Sequence, residues 1–145
     1  MKHNPGFNPA VVDAECFCLN VRRAARAISR RYDELLRPLD LNNGQFSTLV
    51  VVAGLQPAAM QTLAERLGLD RTTLTAHVQP LHRRGLLEIA VDPSDRRGRH
   101  VSLTSEGREL VQRAMPIWTK LQREFAARFE GRGAEHFRTE IKNFV

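Results

Sequence analysis

The sequence predicts a mainly α-helical chain with one small β-hairpin, on three observations. Apolar residues recur at three- and four-residue steps along most of the chain, the period of amphipathic helices. After Gly85 that period gives way to two-residue alternation, the step of a strand. The breaks between segments carry helix start and stop chemistry at Asn42, Gly68, Asp70 and Thr104.

Residues 1–11 hold Pro5, Gly6 and Pro9 without a period and read as a loose arm. Asp13 opens a long helix whose stripe runs Phe17, Val21, Ala24, Ala25, Ile28, Tyr32, Leu35, Leu36 and Leu39, and Pro38 ends it. Arg30 and Glu34 have the spacing of a helical ion pair. Asn42 caps a second helix, with Gln45 in capping-box position. Phe46, Leu49, Val50 and Ala53 form its expected buried stripe, and Gly54 and Pro57 close it. A third helix covers about Met60 to Leu67, with Leu63, Ala64 and Leu67 inward and Gly68 supplying the positive φ of its last turn. Asp70 caps the next helix, about Arg71 to Arg84, with Leu74, Val78 and Leu81 inward.

Residues 86–104 read as a hairpin: Leu87, Ile89 and Val91 alternate with Glu88 and Ala90, Asp92-Pro93-Ser94-Asp95 is turn chemistry, and His100 to Leu103 resume the alternation. Thr104 or Ser105 caps a last long helix with the stripe Leu110, Ala114, Trp118, Leu121, Phe125 and Phe129; Pro116 should kink it. Gly131 and Gly133 punctuate before a short closing helix, Ala134 to Phe144.

Composition narrows the function classes. At 145 residues the chain can bury a core without disulfide or metal staples. Apolar residues make 42% and charged residues 26%, which excludes disorder as the main state. The longest apolar run, Leu49 to Ala53, is five residues, far short of a membrane span. No apolar stretch follows Lys2, so no export signal is expected, and a cytoplasmic location with reduced cysteines is. Net charge is +6, which favours an acidic partner. It is spread evenly: residues 1–41, 60–104 and 105–145 hold seven, seven and eight basic against five, five and six acidic residues. The placement of the arginines must therefore carry any nucleic-acid reading. None of the five histidines has Cys, Asp or Glu at metal-ligand spacing, and no phosphate loop, nucleophile elbow or catalytic carboxylate pair occurs. Neither an enzyme, a metal nor a cofactor is expected.

Helix, glycine turn, helix and two-stranded hairpin is the layout of a winged helix-turn-helix. Opposite the inward face of the helix from Arg71 stand Arg71, Thr72, Thr73, Thr75, Ala76 and Gln79, groups able to meet base edges in a major groove of double-stranded DNA. Arg83 and Arg84 at its far end suit phosphates. His77 lies on the same helix and faces either DNA or solvent. Arg96, Arg97 and Arg99 cluster at the hairpin tip, where a thin loop can enter a narrow minor groove.

From about residue 16 to 130 the sequence resembles the MarR family of bacterial transcriptional regulators, most strongly in LAERLGLDRTTLTAHVQPLHRRGLLE and DPSDRRGRHVSLTSEG. The resemblance implies one MarR-like domain over 1–145, with a winged lobe at 42–104 and helices of 12–39 and 105–145 building a homodimer. It implies that Arg97 is the wing arginine in the minor groove and that Asp95 braces the wing by pairing with an arginine. It further implies a repressor of a pseudo-palindromic operator, released by a small aromatic or phenolic effector bound between the dimer arms and the winged lobe.

Cys16 and Cys18 stand two apart on the expected first helix, so their side chains point about 200° apart and cannot form a disulfide while it is intact. Cys18 matches the reactive cysteine of the family's organic-peroxide sensors. Those sensors carry a tyrosine four residues later, where this chain has Arg22, so the expectation is an inert, buried thiol at the edge of the stripe. A thiol-based sensor using Cys18, or a winged helix docking a protein instead of DNA, are the rival readings.

Overall fold

The computed structural model describes residues 8–131 and 133–144. The first helix, α1 (Pro9–Glu15), starts earlier than expected, because Pro9 supplies a fixed φ and the Asn8 side chain accepts from the Ala10 N–H at 3.1 Å. The expected loose arm is therefore helical from Pro9, and its residues 1–7 lie outside the described residues. Cys16 then interrupts the helix with extended backbone (φ −68°, ψ 108°) before α2 (Phe17–Leu36). Asn20 Nδ2 donates to the carbonyls of Ala14 and Cys16 at 3.0 and 3.1 Å, and Arg23 pairs with Asp13 at 2.6 Å. The single helix expected from Asp13 is thus two helices sewn together by side chains.

A 3₁₀ turn (Arg37–Leu39) ends on Asp40, whose φ is +52°. Helix α3 (Asn43–Leu55) has the expected capping box: Gln45 N–H donates to Asn42 Oδ1 at 2.8 Å and Asn42 N–H to Gln45 Oε1 at 3.2 Å. Its buried positions are Phe46, Thr48, Leu49 and Val52, whereas Val50 and Ala53 are exposed. That corrects the expected stripe. α3 packs on α2, α5, α6 and the sheet, so several of its faces are covered and no single stripe marks the core side.

Strand β1 (Ala58–Ala59) precedes α4 (Met60–Leu67), which ends on Gly68 at φ +63°. Helix α5 (Arg71–Arg83) follows, then β2 (Leu87–Val91) and β3 (Arg99–Leu103). The sheet is antiparallel in the order β1-β3-β2, with Ile89 opposite Val101 and Ala58 opposite the same Val101 on the other side. The hairpin was expected; β1 was not, because two alanines have no period of their own. Gln56 reinforces this edge by accepting the Leu103 N–H at 2.9 Å.

Thr104 caps α6 (Ser105–Ala126), accepting from the Gly107 N–H at 3.0 Å, and the helix continues through Pro116. The closing helix α7 spans Gly133–Lys142, shorter than expected. One core joins Leu36, Leu49, Leu63, Leu74, Leu81, Val101 and Leu110. Arg31 locks α2 to α6 with two bonds to Glu124, at 2.9 and 3.0 Å, and also meets Glu34 at 3.1 Å. Arg31, not Arg30, is therefore the partner of Glu34; the Arg31 fork reaches both carboxylates at once. Tyr32 stacks on Phe125 with ring centroids 6.0 Å apart.

Much of the outer stripe of α2, α6 and α7 is uncovered in a single chain. Phe17 is 82% exposed and Val21 57%, and Trp118 and Phe137 are also exposed. Among the described residues no helix is long and apolar enough to cross a membrane.

Candidate nucleic-acid interface

Helix α5 and the β2–β3 tip carry most of the residues that the sequence proposed for contact with DNA. Asp70 fixes the start of α5 by accepting from the Thr73 N–H at 2.8 Å and the Thr73 hydroxyl at 2.7 Å. These bonds, the backbone one first, hold the Asp70 carboxyl below its ordinary range. Leu74, Val78 and Leu81 are fully buried, as the periodicity predicted. The opposite face leaves Arg71, Thr72, Ala76 and Gln79 exposed and Thr75 half-buried.

Four placements differ from expectation along this helix and at its end. Thr73 is half-buried and its hydroxyl is committed to Asp70, so it serves the cap rather than standing free beside Thr72. The Thr75 hydroxyl donates to the Arg71 carbonyl at 2.8 Å, leaving its acceptor lone pairs and methyl. His77 faces α3: a Cβ at Gly44 would lie 2.5 Å from His77 Cε1, so the imidazole occupies the space that a side chain at position 44 would need. At the far end Arg83 and Arg84 are both exposed, but the Arg84 guanidinium is engaged with the end of α2. It donates to the backbone carbonyls of Asp40 and Leu39.

The hairpin tip is held by its own polar groups. Asp92 accepts from the Ser94 hydroxyl at 2.6 Å and the Ser94 N–H at 2.7 Å, and its second oxygen lies 3.1 Å from His100 Nε2. The Ser94 hydroxyl is the largest cause of a lowered Asp92 pKa, followed by the Ser94 N–H. Asp95 Oδ1 accepts the Arg97 N–H at 2.9 Å, and Gly98 N–H donates to the Asp95 carbonyl at 2.8 Å. Asp95 therefore braces the wing through a backbone N–H, not through the arginine side chain the resemblance implied. Arg99 folds back onto the carbonyls of Gly98 and Arg96, at 2.8 and 3.1 Å, and stiffens the loop. Arg96 and Arg97 are exposed at the tip. Sequence reasoning missed Asp92 and His100 as braces; the Asp-x-Ser spacing was the signal for the first.

Cys16 caps α2, its Sγ accepting from the Leu19 N–H at 3.5 Å. Cys18 is exposed, not buried filler. The argument that both cysteines share one helix fails with the break at Cys16.

Two crevices complete the picture. One of about 560 Å³ lies between α2, α6 and α7 and is lined by Ile28, Tyr32, Phe125, Phe129 and Phe137 among others. Another, about 460 Å³, separates the end of α2 from α3 and α5, with Asp33, Arg37, Asn42, Gln45 and Arg84 on its walls.

Residues 39–98 match the model of the MarR family. Among solved structures, the transcriptional regulator MosR of M. tuberculosis in complex with DNA is 39% identical, with a TM-score of 0.80 over 90% of this chain and 93% of that one. The PcaV transcriptional regulator of Streptomyces coelicolor, in complex with its natural ligand, is 26% identical, with a TM-score of 0.79 over 91% and 93% of the two chains. The transcriptional regulator HosA of Escherichia coli O111:H- is 28% identical over 106 residues, 73% of this chain and 78% of its own. A capped helix with an open polar face, an arginine-tipped hairpin and this likeness over nearly the whole chain agree: the chain belongs to the MarR family and is a DNA-binding transcriptional regulator, not an enzyme.

Proposed function

We propose that the protein is a cytoplasmic homodimeric repressor that reads a pseudo-palindromic operator and is released by a small aromatic or phenolic effector. The observation that carries this reading is the wing tip: Asp95 and Gly98 fix the backbone of Arg97 while its side chain stays exposed at the end of a thin loop. A guanidinium so held suits a narrow minor groove, where the potential is most negative. Arg71, Thr72, Thr75, Ala76 and Gln79 face the neighbouring major groove, with Arg83 on phosphate. The uncovered stripe of Phe17, Val21, Trp118 and Phe137 is the surface that a second copy covers, with helices of 12–39 and 105–145 as the dimer arms and 42–104 as the winged lobe. Two such lobes meet DNA about one turn, roughly 34 Å, apart.

The crevice between the end of α2 and the winged lobe supports the effector site. Arg37, Asn42 and Gln45 offer donors to a carboxylate or phenolic oxygen there. An effector held at that junction shifts the dimer toward a lobe spacing that misses the groove. The test is a mobility-shift titration of the purified protein on its own promoter fragment. Binding as two protomers per site, reversed by an aromatic acid, is the expected result. One protomer per site or indifference to sequence rejects it.

Base reading predicts a split between operator and random DNA. Replacing Thr72, Thr75 or Gln79 by Ala should cost about 1–3 kcal/mol on the operator and little on random DNA. Arg83→Ala should instead flatten the salt dependence on both. Equal losses for Gln79→Ala on the two DNAs would show that another face of α5 meets the bases.

Exposed Cys18 keeps a thiol-based sensor as the second reading. Among the described residues no side chain is hydrogen-bonded to its Sγ, and Arg22 stands one turn on, where the family's peroxide sensors carry a tyrosine. Cys18→Ser is therefore expected to leave DNA binding and effector release unchanged. Release of the parent by an organic hydroperoxide that vanishes in Cys18→Ser would overturn the small-molecule reading.

A further inference from the structure

Arg84, the residue that ends α5, ties that helix to the end of the α2 arm. Its Nη1 donates to the Asp40 carbonyl at 2.5 Å and its Nη2 to the Leu39 carbonyl at 3.3 Å. The Asp40 carboxylate, 3.8 Å away, is 93% exposed, so the carbonyls rather than the ion pair define the contact. Those carbonyls lie at the open C-terminal end of the 3₁₀ turn, where backbone oxygens lack partners and a cation is favoured. Asp40 is held there in the left-handed region at φ +52°, its N–H donating to the Arg37 carbonyl at 2.9 Å. At the other end of the strap the backbone is equally fixed. Leu86 N–H donates to the Leu81 carbonyl at 3.0 Å, and Gly85 takes φ +71°. A second tie runs from the arm to α3, where the Asn43 N–H donates to Asp33 Oδ1 at 2.6 Å. α3 and α5 are thus each tied to the arm beside the crevice at their junction.

We propose that Arg84 is a positioning residue that sets the angle of α5 to the arm, and so the half-site spacing that the protein accepts. This rests on the reading of the protein as a dimer with α5 in the major groove. A guanidinium that puts two of its five N–H donors on the arm's carbonyls is aimed at the arm, and losing it frees α5 to swing without removing a charge from the DNA contact.

Arg84→Ala and Arg84→Lys are compared with the parent by salt titration on three operators: the native one, and versions with one base pair inserted or deleted between half-sites. The parent is expected to discriminate sharply between native and altered spacing while binding as two protomers. Arg84→Ala should bind the native operator about tenfold more weakly, at the scale of a lost charge-assisted bond, and discriminate spacing less. Its salt slope should be unchanged. Arg84→Lys, which keeps a donor for one carbonyl, should recover part of the discrimination and serves as the readout if Arg84→Ala fails to fold. A salt slope reduced by about one phosphate per protomer, with spacing discrimination intact, would make Arg84 a phosphate ligand and overturn the proposal. Unchanged affinity and discrimination in both variants overturn it too. A parent that binds two protomers yet ignores spacing sinks this proposal alone, and a parent that binds as one protomer sinks the dimer reading with it.

Discussion

Arg97→Ala is expected to weaken operator binding on the order of a hundredfold while dimerisation and thermal stability stay as in the parent. One groove contact is worth about 1–3 kcal/mol, and a dimer loses two. The fold loses nothing comparable, because the Arg97 side chain is exposed at the tip and the bond to Asp95 uses its backbone N–H, which alanine retains. Arg96→Ala should cost less, because among the described residues no carboxylate holds the Arg96 N–H as Asp95 holds that of Arg97. Arg99→Ala should act indirectly and more weakly, through the carbonyls of Gly98 and Arg96 that it would release. A fluorescence-anisotropy titration at physiological salt, paired with a melting curve, measures both halves. Parent-like affinity of Arg97→Ala would refute the minor-groove reading of the wing. A melting temperature that fell with the affinity would show that the arginine supports the fold instead.

Gly107→Ala is expected to destabilise the protein by about 3 kcal/mol, the upper end of the overpacking range, and to lower the melting temperature by about 10 °C. A Cβ at Gly107 would lie 2.1 Å from the Leu86 carbonyl oxygen and 3.1 Å from Leu103 Cδ2. The first obstacle is backbone and cannot rotate away. It is also pinned, since the Leu86 oxygen accepts the Thr104 N–H at 3.2 Å and the Thr104 hydroxyl donates to the neighbouring Gly85 carbonyl at 2.7 Å. The end of α5, the start of β2 and the start of α6 meet at this point, so relief at one moves all three. Gly54→Ala is the control. It lies in α3 with nothing within 4 Å of the added methyl, and alanine in a helix should be neutral or slightly stabilising there. Urea unfolding of the two variants decides it; equal stabilities would mean that the junction yields freely.

Legibility from sequence followed the range of each interaction. The caps at Asn42, Asp70 and Thr104 and the break at Gly68 act within a few residues, and all four stand where the sequence put them. The inward face of α5 was readable because one side of that helix packs and the other is open. Val50 and Ala53 were misassigned because α3 is covered from several directions. The alanines of β1 are a strand only because Val101 and His100 lie beside them. Arg84 shows the limit most clearly: an arginine at a helix end reads alike whether it meets a phosphate or a carbonyl 44 residues earlier in the chain. Cys16 gave no local sign of a break; the Ala14 carbonyl before it accepts from Asn20 Nδ2, six residues further on.

The contact between Gly44 and His77 makes two distant positions a single unit of inheritance. The imidazole fills the volume that any larger residue at 44 would claim, and its Nδ1 is buried there without a hydrogen-bond partner among the described residues. Neither position is free to drift alone: a methyl at 44 evicts the ring, and loss of the ring leaves a void against α3. Lineages that change one should change the other, and the energies of the two changes will not add. The helix proposed to read bases with its outer face is thereby anchored, on its inner side, to a pair that moves together or not at all.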